Sequence, residues 1–363
     1  MSRAVGIAPS KGAAFDKAHG IVIEVMPSDK QVSIRATDLD TYITTWIPAV
    51  ECEGEDVQWR LSANAFGGMV SKLKNGRQVT LKPEKTKEGG VELIVTSGMM
   101  RAGFQLLDMA SYPEWDIFDS DDLTDVSGLA AALNNVSWAA AGPSEAQLNS
   151  VHFTGEHVVA TDRYKFARYP LKVAEGGITL PLSAIKFLST LKGDVKFGFD
   201  GFNALVMPDD DTQIKVIALG TEYPVAVLDK LAEVEYTDKV QVNADEFADM
   251  IDLTSAINTN DRVSKKLTFW IGRQQIAAMV ASETDRARDI MSVPGQATHD
   301  HRVEIRINPK YLSDALTNGE GLCTIHYSSA QAYDSSASGG PLKKTLKFEK
   351  PGGYTAWVMP ITG

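Results

Sequence analysis

Two cysteines in 363 residues, Cys52 and Cys323, leave no basis for a disulfide framework or a thiolate metal site. No apolar run approaches the ~18 residues that a membrane span requires. The opening MSRAVGIAPSKGAAF lacks the long apolar core of a signal peptide. We therefore expect two reduced thiols in a cytoplasmic protein that uses no membrane. The signatures of a Walker A loop, a nucleophile elbow and a zincin helix are also missing, so neither catalysis nor a cofactor is expected. Cationic excess is absent too: 36 Lys and Arg stand against 47 Asp and Glu, a net charge of −11. A nucleic-acid binder held by charge alone would be basic overall. Net charge, however, sums every surface, whereas local patches decide contact.

What the chain does have is repetition. The segment IRATDLDTYITTWIP (34–48) runs from an apolar residue through Ala-Thr-Asp and mixed aromatics to a proline, and VVATDRYKFARYPL (158–171) does the same. MVASETDRARDIMSVP (279–294) is a looser third copy. The closing prolines, Pro48, Pro170 and Pro294, recur at about one third of the chain length, which is a statement about architecture. A second element keeps step, beginning at Leu61, Leu180 and Ile307: a strand end, a helix of about three turns, a turn, then an alternating strand. Phe66, Met69, Val70 and Leu73 form the apolar helical face of the first copy; Ile185, Leu188 and Leu191 form that of the second. Tyr311, Ala315 and Leu316 mark the third. Asn75-Gly76 and Asn318-Gly319 are expected to stop their helices through positive φ.

Two further segments, DVSGLAAALNNVSWAAAGPS and QVNADEFADMIDLTSAINTN, read as a second helix type. Aligning Ser2 with Ser137 leaves the first copy short of one strand and most of this helix. The expectation is an α+β fold of three repeated domains, each with two helices packed on antiparallel strands. The domains would span residues 1–121, 122–238 and 239–363.

Three such copies, with ATDxxxxA in the middle one and VMP near the C-terminus, resemble the bacterial sliding clamp, the β subunit of DNA polymerase III. FQLLDMASYPEWD and LGTEYPVAVLDKL, closing the first two thirds, resemble that family's domain ends. The resemblance implies a two-subunit ring closed head to tail around double-stranded DNA, contacting it without reading sequence. Strands would form the outer wall, and helices would line the hole. Its partners would be a replicative polymerase and a clamp loader, docking through short apolar peptides.

The residues support parts of this directly. No acid occurs between Leu61 and Pro83, but Lys72, Lys74, Arg77 and Lys82 do; the acid-free stretch Gly176–Gly193 carries Lys186 and Lys192. Basic, acid-free helix regions in an acidic chain suit contact with phosphates, although chance clustering on a solvated face gives the same pattern. The family pattern adds Lys11 and Gln147. The third repeat departs, with Asp245, Glu246, Asp249 and Asp252 on its helix, followed by Arg262, Lys265 and Lys266.

By resemblance, the peptide pocket would be walled by Leu148, Thr161, Arg163, Lys165, Phe166, Pro224, Leu228, Val358, Met359, Pro360 and Ile361. An apolar groove with a flexible Met accepts extended peptide anchors; the plainer reading makes Phe166, Val358 and Met359 core strand residues. Many clamps have Gly-His-Arg-Leu where this chain has Arg163, Tyr164, Lys165 and Phe166, so a different peptide preference is expected. The ring joint would bring Phe104 and Leu106 to Ile257 and its neighbours. His299-Asp300-His301 is read as an exposed loop and Asp209-Asp210-Asp211 as a polar turn; neither is taken as a metal site. The competing reading is a clamp homologue that closes no ring and only competes for clamp-binding peptides.

Overall fold

A computed structural model describes residues 2–8, 15–73, 77–119, 123–174, 176–256, 267–271, 275–280, 291–297, 303–318, 321–328 and 345–361. The chain forms two compact units, residues 1–127 with 190–218, and residues 128–189 with 219–363.

In the first unit an eight-stranded sheet has the order Val57–Leu61, Ile21–Met26, Gln31–Thr37, Thr41–Pro48, Thr212–Ile217, Asn203–Asp209, Val195–Phe199, Thr124–Val126. A separate sheet holds Thr80–Lys85, Val91–Ser97 and Met100–Gln105 in that order. In the second unit a nine-stranded sheet runs Ile178–Pro181, Ser150–Phe153, His157–Thr161, Lys165–Pro170, Thr355–Val358, Leu346–Glu349, Leu322–Tyr327, Asp238–Asn243, Gln296–Ala297. A four-stranded sheet completes that unit: Met291–Pro294, Gln275–Val280, Leu267–Ile271, Val303–Ile307.

The threefold pattern read from the sequence is visible in these orders. The first two Thr-Asp segments are hairpins, Gln31–Thr37 with Thr41–Pro48 and His157–Thr161 with Lys165–Pro170; in the third copy the flanking strands Gln275–Val280 and Met291–Pro294 pair in the same antiparallel way, and residues 281–290 lie outside the described residues. In the first two copies, the second hairpin strand pairs with the last strand of the following copy. Thr41–Pro48 meets Thr212–Ile217, and Lys165–Pro170 meets Thr355–Val358.

In the first and third copies the helix after the strand end is capped by a side chain, whereas Leu182–Leu188 of the second follows Pro181 with no side-chain cap. Ser62 Oγ accepts the Ala65 N–H ahead of Ala63–Val70. Asn308 Oδ1 accepts the Lys310 N–H ahead of Pro309–Thr317, with Pro309 in the first turn, where its missing N–H costs nothing. Phe66, Ile185, Leu188, Leu191, Ala315 and Leu316 are buried as expected, and Met69, Val70, Leu73 and Tyr311 half-buried. Asn318 departs from expectation. Its backbone is extended at φ −83°, and its side-chain amide instead donates to the Asp314 carbonyl at 2.6 Å. An amide that satisfies an orphan carbonyl this way needs no left-handed residue at that position. Asn75, Gly76, Gly319 and His299–His301 lie outside the described residues. Asp210 and Asp211 form a hairpin turn, as expected, and Asp209 beside them pairs with Arg3 at 2.6 Å.

Candidate partner-binding site

The Thr-Asp segment owes its shape to its two polar side chains. Thr161 Oγ1 accepts the Arg163 N–H at 2.9 Å, and Asp162 Oδ1 accepts the N–H groups of Tyr164 and Lys165, each at 2.9 Å. Thr37 and Asp38 do the same for Leu39, Asp40 and Thr41. Side-chain oxygens thus satisfy amides that the tight reversal would leave unpaired. In both turns the residue after Asp is left-handed, Leu39 at φ 78° and Arg163 at φ 76°.

Beyond the turn, Lys165 pairs with Val358 and Phe166 with Trp357. Alternation along the strands sends successive side chains to opposite faces. On one face Phe166 and Trp357 join Ala141, Leu148, Val159, Tyr223, Leu228 and Leu231 in a buried cluster, with Val225, Tyr236 and Met359 packed half-buried against it. On the other, Val358 belongs to the larger core of the third repeat, against which Trp138, Tyr169 and Tyr311 pack. Lys165 also turns to Trp138 and Tyr311. Its Nζ lies 5.4 Å from the Trp138 ring centroid and 4.9 Å from that of Tyr311, and donates to the Trp138 carbonyl. Asp162 stands 3.8 Å away. Burial pushes the Lys165 ammonium below its ordinary range, and Asp162 opposes that shift.

The eleven residues expected to wall the pocket therefore divide. Leu148, Phe166 and Leu228 meet in one cluster with Met359 at its margin. Pro224, Pro360 and Ile361 are half-buried, and the Met359 and Ile361 N–H groups donate to the Tyr164 and Arg306 carbonyls at 2.8 Å each. Arg163 is exposed and 3.8 Å from Glu145. Thr161 is occupied in the turn, and Lys165 and Val358 face the opposite way. Sequence reading missed Trp357, Tyr223, Leu231 and Tyr236. The period of two supplied a signal for one of them, because Trp357 lies two residues before Met359 and opposite Phe166.

Under the cluster His152 stacks on Tyr223, ring centroids 5.0 Å apart, and its Nδ1 lies 2.9 Å from Thr179 Oγ1. Burial lowers the His152 pKa to about 4 and raises that of the Tyr223 hydroxyl.

Among the basic candidates Lys72, Arg77, Lys186 and Lys192 are exposed, and exposed Gln147 donates its amide to the Glu222 carbonyl. Lys11, Lys74, Arg262 and Ile257 lie outside the described residues. Phe104 is a core residue, its ring 5.7 Å from that of Phe66, and Leu106 is half-buried. Alternation explains this: on Met100–Gln105 the exposed positions are Arg101, Gly103 and Gln105. No group of three metal-ligating side chains occurs among the described residues. No helix among them is long and apolar enough to cross a membrane.

No protein-family profile matches this chain, nor does any curated protein sequence. Solved structures do. The DNA polymerase III beta subunit from Thermotoga maritima has a TM-score of 0.81 at 18% identity, over 99% of this chain and 95% of that one. The corresponding subunit from Pseudomonas aeruginosa gives 0.80 at 14%, covering 99% and 96%. The chain has the sliding-clamp fold. A sliding clamp from Bartonella birtlesii bound to griselimycin is also similar, with a TM-score of 0.80 at 17% identity over 99% of this chain and 95% of that one. The sliding-clamp fold spans both compact units, and the strand pairings Thr41–Pro48 with Thr212–Ile217 and Lys165–Pro170 with Thr355–Val358 lie within it.

Proposed function

We propose that this chain is a DNA sliding clamp, a non-catalytic accessory subunit of a replicative polymerase. Two copies close head to tail around duplex DNA, and the Phe166–Trp357 cluster docks short apolar peptides of the polymerase and its loader. The three repeats, at residues 1–121, 122–238 and 239–363, are the domains of that ring.

The observation that carries this reading is a pair of leftover strand edges. Twice in the chain, the second strand of a Thr-Asp hairpin pairs with the last strand of the next repeat. Among the described residues, the third hairpin strand, Met291–Pro294, ends its sheet, and Met100–Gln105, the last strand of the first repeat, ends another. Applying the same pairing once more joins Met291–Pro294 of one copy to Met100–Gln105 of the next. A joint between unlike surfaces closes into a ring when the rotation per copy divides a full turn. The joint is therefore made by strand edges, with Phe104 supporting it from the core.

Exposed Lys72, Arg77, Lys186 and Lys192 supply sequence-blind phosphate contacts. Light scattering at low micromolar concentration tests the ring: a species near twice 39.4 kDa supports it, and a clean monomer sinks it. Retention on nicked circular DNA then tests encirclement.

A second reading rests on the third repeat. Asp245, Glu246, Asp249 and Asp252 are all exposed on helix Ala244–Ala256. A homologue that binds clamp partners without enclosing DNA would tolerate such a face. Peptide binding without retention on circular DNA would favour it.

A further inference from the structure

We infer that the partner segment docking at the Phe166–Trp357 cluster carries Lys or Arg beside its apolar anchors; the inference rests on the peptide-docking reading above. Between Leu219 and Asp238 the sequence has five acids and one lysine, against 47 acids and 36 bases in the whole chain. Four of those acids are exposed, and each lies within two residues of an apolar residue of the cluster: Glu222 beside Tyr223, Asp229 beside Leu228, Glu233 after Leu231, and Glu235 beside Tyr236. No cation among the described residues lies within ion-pairing distance of any of the four.

Helix geometry sharpens the imbalance. On Val225–Ala232, buried Leu228 and Leu231 and half-buried Val225 belong to the cluster and mark the inward stripe. At about 100° per residue Asp229 lies about 40° beyond Val225, at one edge of that stripe, and Glu233, four residues on, continues its row. Lys230 lies about 100° beyond Leu231, further from the stripe on the other side. Like charges four residues apart repel, so a partner cation is favoured there twice over. Two other cations near the cluster face other groups: Arg163 lies 3.8 Å from Glu145, and Arg168 lies over the Trp357 ring at 5.5 Å. An acidic excess beside an apolar cluster favours a partner of opposite charge and raises its association rate.

Fluorescence polarisation on the full chain tests this with three labelled ten-residue peptides. All share a central Ile-Leu-Phe, flanked by Lys and Arg, by Ser and Gln, or by Asp and Glu. The basic peptide is expected to bind about fivefold tighter than the acidic one at low salt, as exposed charge pairs allow. The gap should shrink to about twofold in 0.5 M salt, and likewise in the double variant Asp229→Asn, Glu233→Gln. Equal affinities, or a tighter acidic peptide, would overturn the inference while leaving the docking site intact. A basic preference that survives both the double variant and Phe166→Ala would place the contact elsewhere and overturn it too. If the Ser and Gln peptide also fails to bind, the docking reading itself falls, and this inference with it.

Discussion

Phe166 and Trp357 are direct partners across two antiparallel strands that come from different repeats, and both are all but fully buried. Their burial sets stability apart from recognition at the candidate site. Phe166→Ala should destabilise the second unit by about 3 kcal/mol or more, as Phe deletions in packed cores do. Met359→Ala, at the margin, should cost under about 1 kcal/mol while still weakening peptide binding. Urea unfolding read beside polarisation would separate the two. An equal stability loss for both would mean that Met359 is core.

Arg163 holds a left-handed backbone in an exposed turn. Non-glycine residues meet a cost of ~1 kcal/mol there, and its ion pair with Glu145 is exposed and worth little. Arg163→Gly is expected to leave thermal stability unchanged or raise it by up to about 1 kcal/mol. Asp162→Ala, which orphans two amides, should lower it by about 1–2 kcal/mol. Calorimetry on both variants checks the turn, and a stability loss in Arg163→Gly would contradict this account.

Lys165 is spent inside the fold. Lys165→Met keeps its length but removes the bond to the Trp138 carbonyl, and should cost about 1–2 kcal/mol. Because the side chain faces Tyr311, away from Phe166, peptide affinity should change less than twofold by this argument. A large affinity loss at unchanged stability would return Lys165 to the pocket wall.

Acid should weaken the fold through His152. Its folded pKa, about 4, lies below the ordinary value of 6.5, so the unfolded chain takes up the proton first. The stability due to neutral His152 is complete above pH 6.5 and is lost as the pH falls from there toward 4. The loss is on the order of 2–3 kcal/mol. His152→Gln should flatten that part of the pH profile of unfolding, and an unchanged acid limb would exclude His152 as its source.

The threefold plan was legible because a turn chemistry repeats. Thr37-Asp38 and Thr161-Asp162 make the same three kinds of bond, and the capping residues Ser62 and Asn308 precede equivalent helices. Which side of a strand a residue faces was less legible. Resemblance grouped Lys165 with Phe166 and passed over Trp357, although the period of two separates the first pair and links Trp357 to Met359. Tyr223 and Leu231 reach the cluster from a separate segment, a tertiary proximity that local pattern does not encode. Phe104 shows the same limit: pattern alone places an apolar residue on a strand at the sheet edge, and only the fold shows its ring packed on Phe66.

The two leftover edges have a consequence for handling the protein. In the proposed ring joint, Met100–Gln105 and Met291–Pro294 are unlike edges of one chain, so each molecule would carry both a donor end and an acceptor end. If the angle between successive copies drifts from the closing value, the same strand addition has no terminus and builds an open helical fibre. Preparations that lose the dimer at high concentration should therefore show filaments of uniform pitch, with amorphous precipitate as the contrary result, and shortening either edge should abolish them.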